Sequence, residues 1–361
     1  MKEDARNDSC RALPSEWLLK ELLPRVSRSF YLTLQVVPVS VRDQVGLAYL
    51  FCRAADTLAD TDLLPSYRRL PTLLFYRKQF YPEPDDFEGI ARIGRELVPS
   101  QTSSAERILL ERLPDCFEVL ASFDPEDRRL IGELVRTLTR GMEMDLLSFS
   151  EGKPGMPQAL RDMDDLDRYI YFVAGCVGEF WTRMCRKHIQ SLRHWDEERM
   201  AVLGVRFGKG LQMTNVLKDL SRDLARGRSY LPETLLEKHG IDLRMLSDPA
   251  SREILLPLLR DLVGLALEHL DAGWKYILSI PRSEPRLRLA CLWPYFFALS
   301  TLRKTLRSRD LLDPRRPVKI GRGSVYTTMA LSTLGVYSNS ALRVLSAVLR
   351  RRLIQTIDRI A

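Results

Sequence analysis

Apolar side chains recur at three- and four-residue intervals along most of the chain, over residues 41–60, 103–122, 126–149, 164–187, 199–226, 252–279 and 285–308. That spacing turns one face of a helix toward a core. Turn signals separate the stretches. Pro82 to Asp86 break the chain after a tyrosine-rich stretch, Pro125 opens a helix, Gly152 to Pro157 end one, and Asp313-Pro-Arg-Arg-Pro317 form a loop. No alternating run of β-branched residues recurs, so no sheet is expected. The pattern predicts an all-α fold: a single-domain helical bundle around a central apolar cavity, covering residues 21–335. A polar segment at 1–20 precedes it, and a basic amphipathic helix at 336–361 follows. In that last helix Leu345, Val348, Leu349 and Leu353 oppose Arg343, Arg350, Arg351 and Arg352. Such a helix either packs on the domain or lies on an anionic membrane.

With 361 residues and 45% apolar content, the chain is long enough to bury a sizeable core. Its net charge of +8 comes from scattered Arg and Lys and suits an anionic substrate or an anionic membrane surface. Nucleic acid is not the expected partner, because no RNP, zinc-finger or helix-turn-helix signature is present. The six cysteines form no C-x-x-C pair and read as reduced residues of a cytoplasmic protein. The four dispersed histidines argue against a zinc enzyme. Met1 to Ser9 are too polar for a signal peptide, and no uncharged apolar run is long enough for a membrane span.

Two acidic pairs change the picture from fold to chemistry. Asp56 and Asp60 stand in Arg53-Ala-Ala-Asp56-Thr-Leu-Ala-Asp60, and Asp219 and Asp223 in Asn215-Val-Leu-Lys-Asp219-Leu-Ser-Arg-Asp223. Each i, i+4 spacing puts two carboxylates on one helix face, one turn apart, where like charges repel. Mg²⁺ is the natural compensation, since it takes carboxylate and phosphate oxygens together. Asn215 extends the second row with a neutral oxygen. The bland alternative is a solvated helix face, with Arg53 as partner to the first pair and Lys218, Arg222 and Arg226 to the second. Repetition of the spacing, and an Asn in a helix that otherwise disfavours it, weigh toward a metal site.

Five segments, in order, resemble the squalene/phytoene synthase family of head-to-head prenyl transferases. They are Ser27-Arg28-Ser29-Phe30; Tyr49-Leu-Phe-Cys-Arg53 with its acidic pair; Tyr169-Ile-Tyr171-Phe-Val-Ala-Gly175-Cys-Val-Gly178; Gln212-Met-Thr-Asn215 through Asp223; and Gly227-Arg228-Ser-Tyr-Leu-Pro232. Val318-Lys319-Ile320-Gly-Arg322-Gly323 resembles a stretch of the squalene synthase branch associated with the nicotinamide cofactor. The resemblance is to a bacterial-type member, because the carboxy-terminal anchor of eukaryotic relatives is missing.

The resemblance implies that two farnesyl diphosphate molecules condense to presqualene diphosphate, which NADPH then reduces to squalene. It places Mg²⁺ on Asp56, Asp60, Asn215, Asp219 and Asp223, and substrate on Ser27, Arg28, Ser29, Tyr49, Arg53, Gln212, Asn215, Lys218 and Arg228. Tyr169 is implied in proton transfer, and Lys319 and Arg322 in cofactor binding. Read for themselves, Ser27 to Ser29 also suit a helix cap, Tyr169 a core position, and Lys319 and Arg322 ordinary loop charge. Gly175 and Gly178, inside a helical stretch, call for close packing or room for a prenyl chain. Three positions depart from the family: Ala59 stands in place of a Glu, Ala290 in place of a Phe, and Gly321 in place of a basic residue. A phytoene or dehydrosqualene synthase working without NADPH, and a non-catalytic prenyl-diphosphate-binding partner, are the alternatives. The protein is expected in the cytoplasm, with a peripheral seat on the inner membrane face as the variant.

Overall fold

A computed structural model describes residues 14–27, 31–59, 64–81 and 87–359. Short helical turns cover Pro14 to Ser27 and Tyr31–Val36. The helices of eight residues or more are α1 (Val39–Ala59), α2 (Ser66–Lys78), α3 (Phe87–Leu97), α4 (Ser104–Glu111), α5 (Leu113–Ser122), α6 (Pro125–Ser148), α7 (Met163–Ile170), α8 (Cys176–His188), α9 (Glu197–Ala225), α10 (Arg252–Ser279), α11 (Pro285–Arg307), α12 (Arg322–Gly335) and α13 (Asn339–Asp358). The fold is all-α, as the apolar periodicity predicts. By contact the chain divides into two compact units, Met1–Gln35 with Val39–Thr139, and Val36–Pro38 with Arg140–Ala361.

In the first unit an aromatic cluster holds α1, α2 and α5 together. The Phe51 ring lies 4.9 Å from Phe80 and from Phe117, and the buried Tyr76 hydroxyl donates to the Phe51 carbonyl at 2.9 Å. Burying such rings contributes about 1.5–3 kcal/mol each. The 103–122 stretch is two helices, not one, because Pro114 in the first turn of α5 has no N–H to continue α4. Two helices whose apolar rhythm did not reach notice, α2 and α3, complete this unit.

In the second unit α9 is the central post, packed against α8, α10 and α11. Asp196 caps its start by accepting from the Arg199 N–H at 3.1 Å. Close approach to α8 requires glycine: a Cβ on Gly178 would stand 2.0 Å from the Gly204 carbonyl oxygen. Helix packing therefore accounts for Gly178. Between α7 and α8 the predicted 164–187 helix widens into a π turn over Tyr171–Gly175. The fully buried Arg288 on α11 donates to the Val336 carbonyl at 2.7 Å and to the Asn339 side chain, fastening the α12–α13 corner.

One small correction concerns strands. Gln158–Ala159 (β1) and Arg228–Ser229 (β2) form a two-residue parallel pair. Gly227 makes it possible. Its φ of +80° ends α9 in the left-handed region, and any Cβ there would meet the Lys153 nitrogen at 2.4 Å. Two residues are too few to leave an alternating signature.

Candidate active site

The α9 row and the β pair bring one set of predicted residues together. Gln212, Asn215, Asp219 and Asp223 follow one another at three- and four-residue steps along a face of α9. Asn215 donates to the Gln212 side chain at 3.3 Å. Lys218 Nζ lies 2.8 Å from Asn215 Oδ1 and 3.0 Å from an Asp219 oxygen. Asp219 thus has cationic company, with Arg222 a further 3.7 Å contact.

Asp223 differs. It is half-buried, and among the described residues no side chain hydrogen-bonds or ion-pairs with its carboxylate. Burial first, then the charges of Asp219 and Asp145, push its pKa from the ordinary 3.8 up to about 7. Arg228 and Arg226 pull the other way and do not prevail.

Asp145, on α6, is the residue that sequence reasoning missed. It accepts hydrogen bonds from the Arg228 guanidinium on one oxygen and the Tyr230 hydroxyl on the other. Burial raises its pKa, against the opposing pull of Arg228 and Tyr230. Tyr230 in turn stacks on Tyr169, with ring centroids 4.5 Å apart and planes 22° apart. Burial and the Asp145 charge keep both phenols protonated by raising their pKa well above the ordinary value. Tyr230 lies inside the Gly227-to-Pro232 motif, where only Arg228 was singled out. For Asp145 the signal was thin: with Glu143 it stands among Met142, Met144, Leu146 and Leu147, at a spacing that puts the two acids on different helix faces.

In the first unit Tyr49, Arg53 and Asp56 share one face of α1. Arg53 is bound by Glu106, whose other oxygen accepts from Gln101 at 3.1 Å. Glu106 and Gln101 were not anticipated. Asp56 is exposed and sits 3.8 Å from Arg53. Ser27 is buried, and its hydroxyl has no hydrogen-bond partner among the described residues. Arg28, Ser29 and Asp60 lie outside the described residues.

Lys319 and Arg322 are exposed, and no ion pair engages either among the described residues. No hydrogen bond joins them to the Asp145 cluster among those residues. Ala290 is buried in α11. The neighbouring rings have structural duties: Trp293 donates to Ser332 at 3.1 Å, and Tyr295 stacks on Trp274 and bonds Ser346. Five cysteines, Cys52, Cys116, Cys176, Cys185 and Cys291, are not in disulfides, and Cys10 lies outside the described residues. No helix among the described residues is long and apolar enough to cross a membrane.

The residues fit a divalent cation. Asp223 is an acceptor-only group that is partly desolvated, unpaired and beset by two further carboxylates, and a cation relieves all three conditions. Lys319 and Arg322 fit a phosphate-bearing cofactor more loosely, as two unpaired cations.

The long helices that carry this carboxylate row form an all-α fold of the isoprenoid-synthase type, shared with solved squalene synthase structures. The sequence profile of the squalene/phytoene synthase family matches residues 23–323, and the chain belongs to this family. Among its relatives is the squalene synthase of Eremothecium gossypii, 28% identical over 84% of this chain. That match spans 65% of the relative's length. Presqualene diphosphate synthase of Rhodopseudomonas palustris is 31% identical over 82% of this chain and 89% of its own. A ligand complex of TcSQS superposes with a TM-score of 0.74 at 21% identity, covering 96% of each chain.

Proposed function

We propose that the protein is a squalene synthase, joining two farnesyl diphosphates head to head through presqualene diphosphate and reducing the product with NADPH. The half-buried, unpaired Asp223 carboxylate carries this reading. Such a carboxylate is poorly placed in a protein that merely packs, and well placed in one that receives a cation. The squalene synthases among the relatives support the choice of substrate.

Asp56, Asp60, Asn215, Asp219 and Asp223 would hold Mg²⁺, which when bound neutralises the departing diphosphate. Lys218 and Arg222 add fixed positive charge beside Asp219. Asp145 holds Arg228 in one orientation, so its remaining guanidinium N–H groups present a preset fork to phosphate oxygens. Asp145 also orients the Tyr230 hydroxyl, and Tyr230 stacks against Tyr169. Tyr169, kept protonated by its surroundings, would donate or relay a proton at its phenol oxygen. Lys319 and Arg322 would take the phosphates of NADPH, which supplies hydride.

A second reading follows from the Rhodopseudomonas palustris relative: the reaction stops at presqualene diphosphate and NADPH is not used. One incubation separates the two. The protein is given farnesyl diphosphate and Mg²⁺, with and without NADPH, and the products are extracted and identified. Squalene appearing only with NADPH bears out the first reading. Presqualene diphosphate that persists whatever the nicotinamide supply establishes the second. Products from geranylgeranyl diphosphate in preference would point to phytoene synthesis. No product from any of these substrates would leave only a non-catalytic role.

A further inference from the structure

Away from the acidic row, the end of α11, the loop before α12 and the middle of α13 enclose a cleft of about 440 Å³. Its charged lining is entirely basic: Arg303, Lys304, Arg307 and Arg352. Among the described residues, no carboxylate pairs with any of these four. Arg303 Nε is buried and has no hydrogen-bond partner, and burial together with Arg307, Arg352 and Arg359 lowers the Arg303 pKa. Four cations gathered without a counter-charge repel one another at a cost that a bound anion removes. Ser300, Ser308 and Ser324 add hydroxyl donors to the same wall. Ser324 sits in the first turn of α12, which has no acidic residue there to occupy its free N–H groups.

The two helices bordering this cleft also carry exposed apolar side chains. On α13, Val344, Val348 and Arg352 are spaced i, i+4, i+8 and share one face; the two valines are 66% and 42% exposed. On α12, Ser324 and Leu331 are spaced i, i+7, and Leu331 is 49% exposed. Leu334 and Tyr337, at the turn between the helices, are 83% and 63% exposed. Single exposed apolar residues need no explanation, but these five, on the two helices that border an uncompensated basic cleft and the turn between them, do. Apolar side chains beside clustered arginines are complementary to one surface, the headgroup layer of an anionic bilayer.

We propose that this cleft binds the phosphate of an anionic phospholipid, and that α12 and α13 seat there on the membrane with Leu331, Leu334, Tyr337, Val344 and Val348 entering the headgroup boundary. Ile320 and Gly321, between the Lys319 and Arg322 assigned above to NADPH, also line this cleft, so a lipid phosphate and the cofactor are rival occupants that the test below separates.

The full chain is tested by flotation with vesicles containing roughly one-third phosphatidylglycerol and with vesicles of phosphatidylcholine alone. Binding is expected to the anionic vesicles only, and to weaken as salt rises. The exposed pair substitution R307E/R352E is expected to reduce anionic-vesicle binding at least about tenfold, given the share each basic residue contributes near such a surface. Val344→Ser with Val348→Ser should weaken binding without altering its salt dependence. Turnover measured in detergent should be the same for all variants, which also reports on their folding. Equal binding to both vesicle types, or R307E/R352E floating like the unaltered protein, overturns the proposal. It is equally overturned if inorganic phosphate or NADPH fills the cleft, seen as a raised Michaelis constant for NADPH in R307E/R352E with flotation unchanged.

Discussion

Asp145 and Arg228 meet as carboxylate and guanidinium, 83 residues apart in sequence, with the Tyr230 hydroxyl on the other carboxylate oxygen. The pair is largely sheltered from water, with side-chain exposures of 14% and 19%. Both partners therefore depend on each other for satisfaction.

Asp145→Asn is expected to destabilise the protein by about 3 kcal/mol, because it leaves a sheltered guanidinium without its counter-ion. Arg228 and Tyr230 also lose their common anchor. If Arg228 takes phosphate as proposed, the substrate Michaelis constant should rise along with the fall in turnover, since the aspartate positions that arginine. Urea unfolding and steady-state kinetics check the two halves.

Asp223 gives a prediction whose sign follows from its titration. Its folded pKa, about 7, lies above the ordinary 3.8, so the folded state holds the proton more tightly than the unfolded one. The metal-free protein is favoured by this group below the unfolded value and loses that favour as pH rises through about 7. Asp223→Asn should raise the melting temperature at pH 8 in chelator, and leave it nearly unchanged at pH 4. Turnover with Mg²⁺ should be lost at either pH. A melting temperature that falls at pH 8 contradicts the burial argument.

Tyr169→Phe keeps the ring that stacks on Tyr230 and removes only the hydroxyl. Folding should be unaffected within about 1 kcal/mol. If the phenol moves a proton in the first half-reaction, turnover falls by roughly 10²–10⁴-fold while substrate affinity holds. Single-turnover formation of presqualene diphosphate is the measurement.

Gly178→Ala tests the seam between α8 and α9. The added methyl would stand 2.0 Å from a backbone oxygen, which cannot rotate aside. The helices must separate, at a cost of about 1–3 kcal/mol or more. On the facing side, a Cβ on Gly204 would stand 2.6 Å from the Gly178 carbonyl oxygen, so Gly204→Ala should behave alike. Thermal unfolding of each variant decides it.

The sequence made the long elements of the second unit legible because their apolar rhythm persists over many turns. The 285–308 stretch is Pro285–Arg307, and 252–279 is Arg252–Ser279. Helix α12 escaped notice because serine, threonine and glycine interrupt its rhythm and most of its surface is exposed. The acidic row on α9 and the Arg228 motif were legible as chemistry, since their spacing or context is unusual. Asp145 and Glu106 were not, because the meaning of each lies in an arginine far along the chain. Spacing reveals neighbours on one helix. Partners supplied by another helix leave no such trace.

The pairing of Gln158 with Arg228 makes the loop after α6 a splint for that arginine. The splint is only two residues long and hangs from a turn whose Met156 side chain is 71% exposed. Cutting the backbone at Met156 would touch no acidic residue and no tyrosine, yet it would unfasten the register that aims the guanidinium. Lengthening the turn would do the same, while substitutions that keep its residue count would not.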